Sequence, residues 1–119
     1  MNYILRTAAV FGFLAVALGA FGSHGLRQIL QINGTASIWQ TATFYHFVHV
    51  LGLLWLGNGV KTSRSSEIFI CWVTGIVLFC GSLYLLAVTG YKWLGAVTPL
   101  GGLSFLLGWA VLLLAGPRT

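Results

Sequence analysis

Four stretches without a single Lys, Arg, Asp or Glu decide what this chain can become: residues 7–26, 28–60, 68–91 and 93–117. A helix needs about 20 apolar residues to cross the hydrocarbon core of a bilayer, and each stretch is long enough. Only 6% of the 119 residues are charged, 58% are hydrophobic, and the mean hydropathy is +0.94. A soluble domain carries about 25% charged residues. A soluble fold of this size has too little interior to hide so much oil, so the natural solvent is lipid. We read an all-α membrane protein: an antiparallel four-helix transmembrane bundle forming a single domain over 1–119, with spans at about 4–22, 37–59, 67–89 and 94–115.

The few charges serve as anchors. Arg6, Lys61, Arg64 and Arg118 fall on the side of the termini, and Arg27 and Lys92 on the other. The positive-inside rule therefore places the termini in the cytoplasm. The formal net charge of +5 comes from isolated positions, with no basic cluster or stripe, so nucleic acid is not an expected partner. Tyr3, Trp39, Tyr91 and Trp93 stand near span ends, where aromatic rings favour the headgroup zone. The first span could pass for a secretory leader, but its n-region is weakly charged and its apolar run long, so we expect it to be retained. Cys71 and Cys80 are nine residues apart, on opposite faces of one helix, and cannot pair with each other.

The connections are short, apart from the first. "GLRQILQI", Gly25 to Ile32, alternates apolar and polar residues as a short interfacial helix would, and "NGTAS", Asn33 to Ser37, reads as a turn leading into a helix cap. Within the spans, small residues recur at helical spacing: Ala8, Gly12, Ala15 and Gly19 on the first, Gly75 on the third, Gly101 and Gly108 on the fourth. Helices in lipid associate through close backbone contact, so these rows mark packing seams, with a neighbour in the same chain or in a second copy.

Polarity is segregated by depth. His24 closes the first span. Gln40, Thr43, Tyr45, His46 and His49 follow one another down the second, Ser82 and Tyr84 occupy the corresponding half of the third, and Thr98 and Ser104 that of the fourth. His46 and His49 share a helical face, about 14–18 Å inside the span start at 1.5 Å per residue. Ionisable groups at that depth are rare and point to function by default. The ten polar residues are the expected lining of a small pocket in the outer half, for a lipid-like or small ligand or a partner helix. The plainer alternative is that the imidazoles only bond across helices to fix register.

Other chemistries are less well served. H-x-x-H with a distant His24 is a weak metal motif, and no second axial ligand for haem stands at matching depth, so no cofactor or metal is expected. The only acid, Glu67, lies at the far end from the histidines, which leaves no nucleophile–base–acid set. We expect no enzyme. An oligomeric transporter or channel-like subunit, and a haem- or metal-binding redox or assembly protein, remain as alternatives. Expected partners are the bilayer and either a second copy or another membrane protein.

"ALGAFGSHGL" (17–26), "YHFVHVLGLL" (45–54), "GIVLFCGSLYLLAV" (75–88) and "AVTPLGGLSFLLGWAVLL" (96–113) together resemble the YgdD-type small membrane proteins. That resemblance implies four spans, a retained first helix, a multi-pass place in the bacterial inner membrane and no established activity. The family pattern on the second span is similar to Tyr, Gln, two variable residues and His. Tyr45 and His49 match it, whereas His46 stands where Gln is usual, which favours hydrogen bonding over ligation at that position. The resemblance points to His24, His49, Ser82, Tyr84, Thr98, Pro99 and Ser104 as a shared polar lining.

Overall fold

The computed structural model describes residues 2–59 and 62–116; Lys61 and Arg118, which entered the charge balance, lie outside them. The described residues are helical nearly throughout: α1 (Tyr3–Ser23), a short α2 (Arg27–Asn33), α3 (Ala36–Gly57), α4 (Ser65–Gly75), α5 (Gly81–Thr89) and α6 (Thr98–Ala115). A π turn, Ile76–Cys80, joins α4 to α5 in one rod, and a 3-10 turn, Lys92–Ala96, leads into α6. Pro99 sits in the first turn of α6, where its missing N–H removes no helical bond. Gly34 ends α2 and Gly90 ends α5, both with positive φ, the left-handed conformation that glycine adopts without penalty.

Three segments are long and apolar enough to cross a membrane: Tyr3–Ser23, Ser65–Thr89 and Lys92–Ala115. α3 is as long as α1 but falls short on hydropathy, because Gln40, Thr41, Thr43, His46 and His49 dilute it. Trp39, Ala42, His46, His49, Val50, Leu53 and Leu56 are all buried along α3. Its two histidines are buried, Gln40 and Thr41 are exposed, and the helices turn apolar side chains outward, with Phe13, Leu113 and Leu114 among the most exposed residues.

α1 packs on α3, α3 on the α4–α5 rod, and the rod on α6, giving a slab of 51 × 26 × 18 Å. α1 and α3 run in opposite directions. Asn2 at the start of α1 caps the Ile4 and Leu5 amides and donates its side-chain N–H to the Gly57 carbonyl, while Trp39 near the start of α3 donates its indole N–H to Leu18 O at 2.9 Å. Thr35, at the N-cap of α3, does not cap with its side chain. Its hydroxyl, in a buried position, donates to Ala87 O at 2.6 Å, and Asn33 Nδ2 donates to Val88 O at 3.0 Å. The turn read as a cap is therefore a clasp that holds the α2 end of the slab to the C-terminus of α5.

The small-residue rows meet partners within the chain. Ala8 and Ala15 are fully buried, and Gly12 and Gly19 lie against Val50 and Thr43 of α3. A methyl group on Gly22 would fall 2.1 Å from the Trp39 indole nitrogen. Gly75 faces Phe105, Gly108 faces Trp72, and Gly101 faces the Phe79 backbone, where an added Cβ would lie 2.2 Å from the amide nitrogen. That last contact sits on the π turn. The bulge displaces backbone groups from the helical ladder, and the Ser82 hydroxyl donates to Phe79 O at 3.0 Å there.

Candidate functional site

The ten polar residues expected to share one pocket are distributed over several separate sites. His49 Nδ1 lies 2.8 Å from Tyr45 O, one turn earlier on α3, and Nε2 lies 3.0 Å from Trp109 Nε1 of α6. A carbonyl can only accept and an indole N–H can only donate, so these two neighbours fix the Nδ1–H tautomer. The imidazole stacks on Phe105, with centroids 3.7 Å apart and planes 9° from parallel. Both nitrogens and one face are occupied, and His49 ties α3 to α6.

His46 faces the other way. Its Nδ1 lies 3.0 Å from the Tyr84 hydroxyl, which donates in turn to Thr43 Oγ1 at 3.3 Å. The His46 Nδ1 and the Tyr84 hydroxyl share one hydrogen bond, its direction set by the imidazole tautomer. His46 Nε2 is buried with no hydrogen-bond partner, and the Phe11 ring of α1 lies at 76° to the imidazole, centroids 6.3 Å apart. Trp39 lies tilted over Tyr84, centroids 4.6 Å apart. The result is a polar thread from Thr43 at the α1–α3 surface, through α5, back to α3.

Ser82 and Thr98 form a third group, their hydroxyls 2.6 Å apart across α5 and α6. Ser104 donates to Cys71 O at 2.7 Å and belongs to the α4–α6 seam. His24 is exposed at the C-cap of α1 beside Ala20 and Phe21, and Gln40 is exposed on α3. Among the described residues no three of His, Cys, Asp and Glu come together as a metal site, and both cysteines are free thiols.

Two openings flank these threads. The first, about 360 Å³, lies at the α2 end between α1, α2 and α3. Gly19, Gly22, Ser23, Leu30, Ala36, Trp39, Gln40, Thr43 and Phe44 line it. Glycines at 19 and 22 leave room on the α1 side, hydroxyls and a carboxamide rim it, and Leu30, Trp39 and Phe44 supply apolar wall. The second, about 540 Å³, is an apolar groove on the outer side of α3 and α6, lined by Tyr45, His49, Phe79, Pro99, Gly102, Leu103, Phe105, Leu106 and Trp109. The polar residues expected at one site thus divide: Gln40 and Thr43 at the first opening, Tyr45 and His49 at the second, and His46, Ser82 and Tyr84 buried between.

Several contributors were not among the expected site residues. Trp39, expected at the headgroup level, is only 4% exposed and walls the first pocket. Ser23 and Leu30 complete that pocket, and Trp109 and Phe105 hold His49. The spacing of small residues to Gly22 is the one signal that could have pointed to Trp39, since a bulky ring needs a gap on the facing helix.

Residues 18–102 match a protein family described as "Protein of unknown function (DUF423)". Over 117 aligned residues the chain is 43% identical to the UPF0382 membrane protein SERP0230 of Staphylococcus epidermidis, covering 97% of this chain and 95% of the relative. It is 39% identical to the UPF0382 membrane protein YwdK of Bacillus subtilis, covering 99% and 98%. It is 40% identical to the UPF0382 inner membrane protein YgdD of Escherichia coli K12, covering 98% and 91%. No solved structure matches. With a family match over most of its length, full-length relatives at this identity and helices apolar enough to span a bilayer, the chain belongs to the UPF0382 family of membrane proteins.

Proposed function

We propose that this protein is a non-enzymatic, four-span protein of the cell inner membrane that holds one amphiphilic, lipid-like molecule in the pocket between α1, α2 and α3. In this reading α3 is the fourth span: it is 22 residues long, uncharged, and its two histidines are buried against its neighbours. The termini lie in the cytoplasm, in keeping with the positive charges, and the α2 end faces outward.

One observation carries the proposal. The pocket has hydroxyl and carboxamide groups (Ser23, Gln40, Thr43) beside apolar wall (Leu30, Trp39, Phe44), at the end of the slab where Tyr91 and Trp93 are exposed as interfacial anchors. A site of mixed character at that depth suits a molecule with a polar head and an apolar body. A partner helix would need a longer seam than this compact opening provides. Native mass spectrometry of the detergent-purified protein tests it. One retained lipid per chain is expected, and Gly19→Leu, which fills the pocket from α1, should abolish it. Bare wild-type protein, or equal retention by Gly19→Leu, would refute it.

A further inference from the structure

We infer that the head taken by this pocket carries hydroxyl groups next to an anionic phosphate, as in a phosphatidylglycerol-type lipid; the inference rests on the proposed lipid pocket and narrows it. The argument starts from a count of donors. The Ser23 hydroxyl donates to Gly19 O at 3.3 Å, the Thr43 hydroxyl to Trp39 O at 3.0 Å, and the Trp39 indole N–H to Leu18 O at 2.9 Å. Each hydroxyl and indole proton on the lining is therefore engaged with a backbone carbonyl. What these groups still offer are lone pairs: Ser23 retains its oxygen as an acceptor, and Thr43 Oγ1, which already receives Tyr84, retains one further site. Gln40 adds an exposed carboxamide, whose oxygen accepts and whose NH2 donates. Three side chains thus offer acceptor oxygens and one of them also donates, a rim that favours a head able to donate as well as accept.

Two kinds of head donate: hydroxyls and ammonium groups. The charges decide between them. No carboxylate lines the pocket, and Glu67, the only acid of the chain, pairs with Arg64 at the opposite end at 2.6 Å. An ammonium group would meet no counter-charge. The charged groups at the pocket's own end are cations. Arg27 stands three residues before the pocket-lining Leu30, so the two share one side of α2, and Lys92 opens the 3-10 turn at the same end. An anionic phosphate beside Arg27 completes the match, with hydroxyls directed to Ser23, Gln40 and Thr43. The apolar wall favours the lipid over a free glycerol phosphate, because Leu30, Trp39 and Phe44 have nothing to pack against in the soluble compound.

Lipid exchange in micelles, read by native mass spectrometry, tests this on the full-length protein. The probes share the same acyl chains: phosphatidylglycerol, phosphatidylmethanol (the same charge without the hydroxyls), phosphatidylethanolamine and phosphatidylcholine. Phosphatidylglycerol should be retained over phosphatidylmethanol by about threefold for each hydrogen bond made, and both over the two zwitterions. Arg27→Gln should erase the preference for anions. Thr43→Val with Gln40→Leu should erase the preference for hydroxyls and leave the anion preference in place. Equal retention of all four lipids would overturn the inference while leaving the lipid pocket standing, and bare protein would overturn both. Equal retention of the two anionic lipids would overturn the hydroxyl assignment. Displacement by millimolar free glycerol phosphate would overturn the assignment to a lipid.

Discussion

Gly101 and Gly102 are neighbours on α6 with opposite surroundings, and replacing each by alanine isolates the close contact at the π turn. A Cβ on Gly102 would meet Phe79 Cδ2 at 3.6 Å, an ordinary contact. A Cβ on Gly101 would lie 2.2 Å from Phe79 N and 2.7 Å from its Cα, and backbone cannot swing aside as a side chain can. Alanine for glycine in a helix interior gains up to about 1 kcal/mol from propensity alone. Gly102→Ala should therefore be neutral or stabilising by that amount. Overpacking a filled interior costs about 1–3 kcal/mol, and a backbone contact belongs at the upper end. After subtracting the propensity gain, Gly101→Ala should destabilise by about 1–2 kcal/mol. The two variants should then differ by about 2 kcal/mol or more, roughly thirtyfold in the unfolding equilibrium. Reversible unfolding in mixed micelles of rising SDS content, followed by tryptophan fluorescence and far-UV circular dichroism, measures both. Equal stability of the two would refute the placement of α6 against the π turn.

Other substitutions probe the polar contacts. His49→Ala strands the Trp109 N–H and removes the stack on Phe105, and should cost more than the roughly 0.6 kcal/mol average of a hydrogen bond in a membrane protein; His49→Gln, which still presents an acceptor, should recover part of the loss in the same unfolding assay. Thr35→Val removes the clasp on Ala87 and should destabilise by about 1 kcal/mol, with faster hydrogen exchange concentrated at the C-terminal turn of α5. Glu67→Gln breaks an ion pair whose two side chains are each about half exposed, at 55% and 53%, and should shift stability by less than about 0.5 kcal/mol.

What could be read in advance follows from the physics of each signal. Uncharged runs are a property of single segments, so the helices were legible to within a few residues, down to Pro99 at the first turn of α6. The small residues of α1 and α6 were legible as seams because helical spacing is local. Their partners were not, because the match of Gly22 to Trp39, or of Gly101 to the Phe79 backbone, joins positions far apart in the chain. The place of His46 and His49 along α3 was legible, but direction was not. Two residues three apart sit about 60° apart on a helix. Here that is enough to send one ring to Tyr84 and the other to Trp109 and Phe105. The π turn had no sequence signature, although Ser82, which bonds its carbonyl, was already in view as an expected pocket residue.

The central claim is that a lipid head resides between α1, α2 and α3, and the most direct measurement is to find where one lands. A phospholipid carrying a photoactivatable carbene precursor on its headgroup, exchanged into the purified protein and illuminated, can be mapped by peptide mass spectrometry. Cross-links concentrated on residues 19–44, and lost in Gly19→Leu, are expected. Labels scattered over the exposed faces of α1 and α6, with no enrichment around Gln40 and Thr43, would contradict the account.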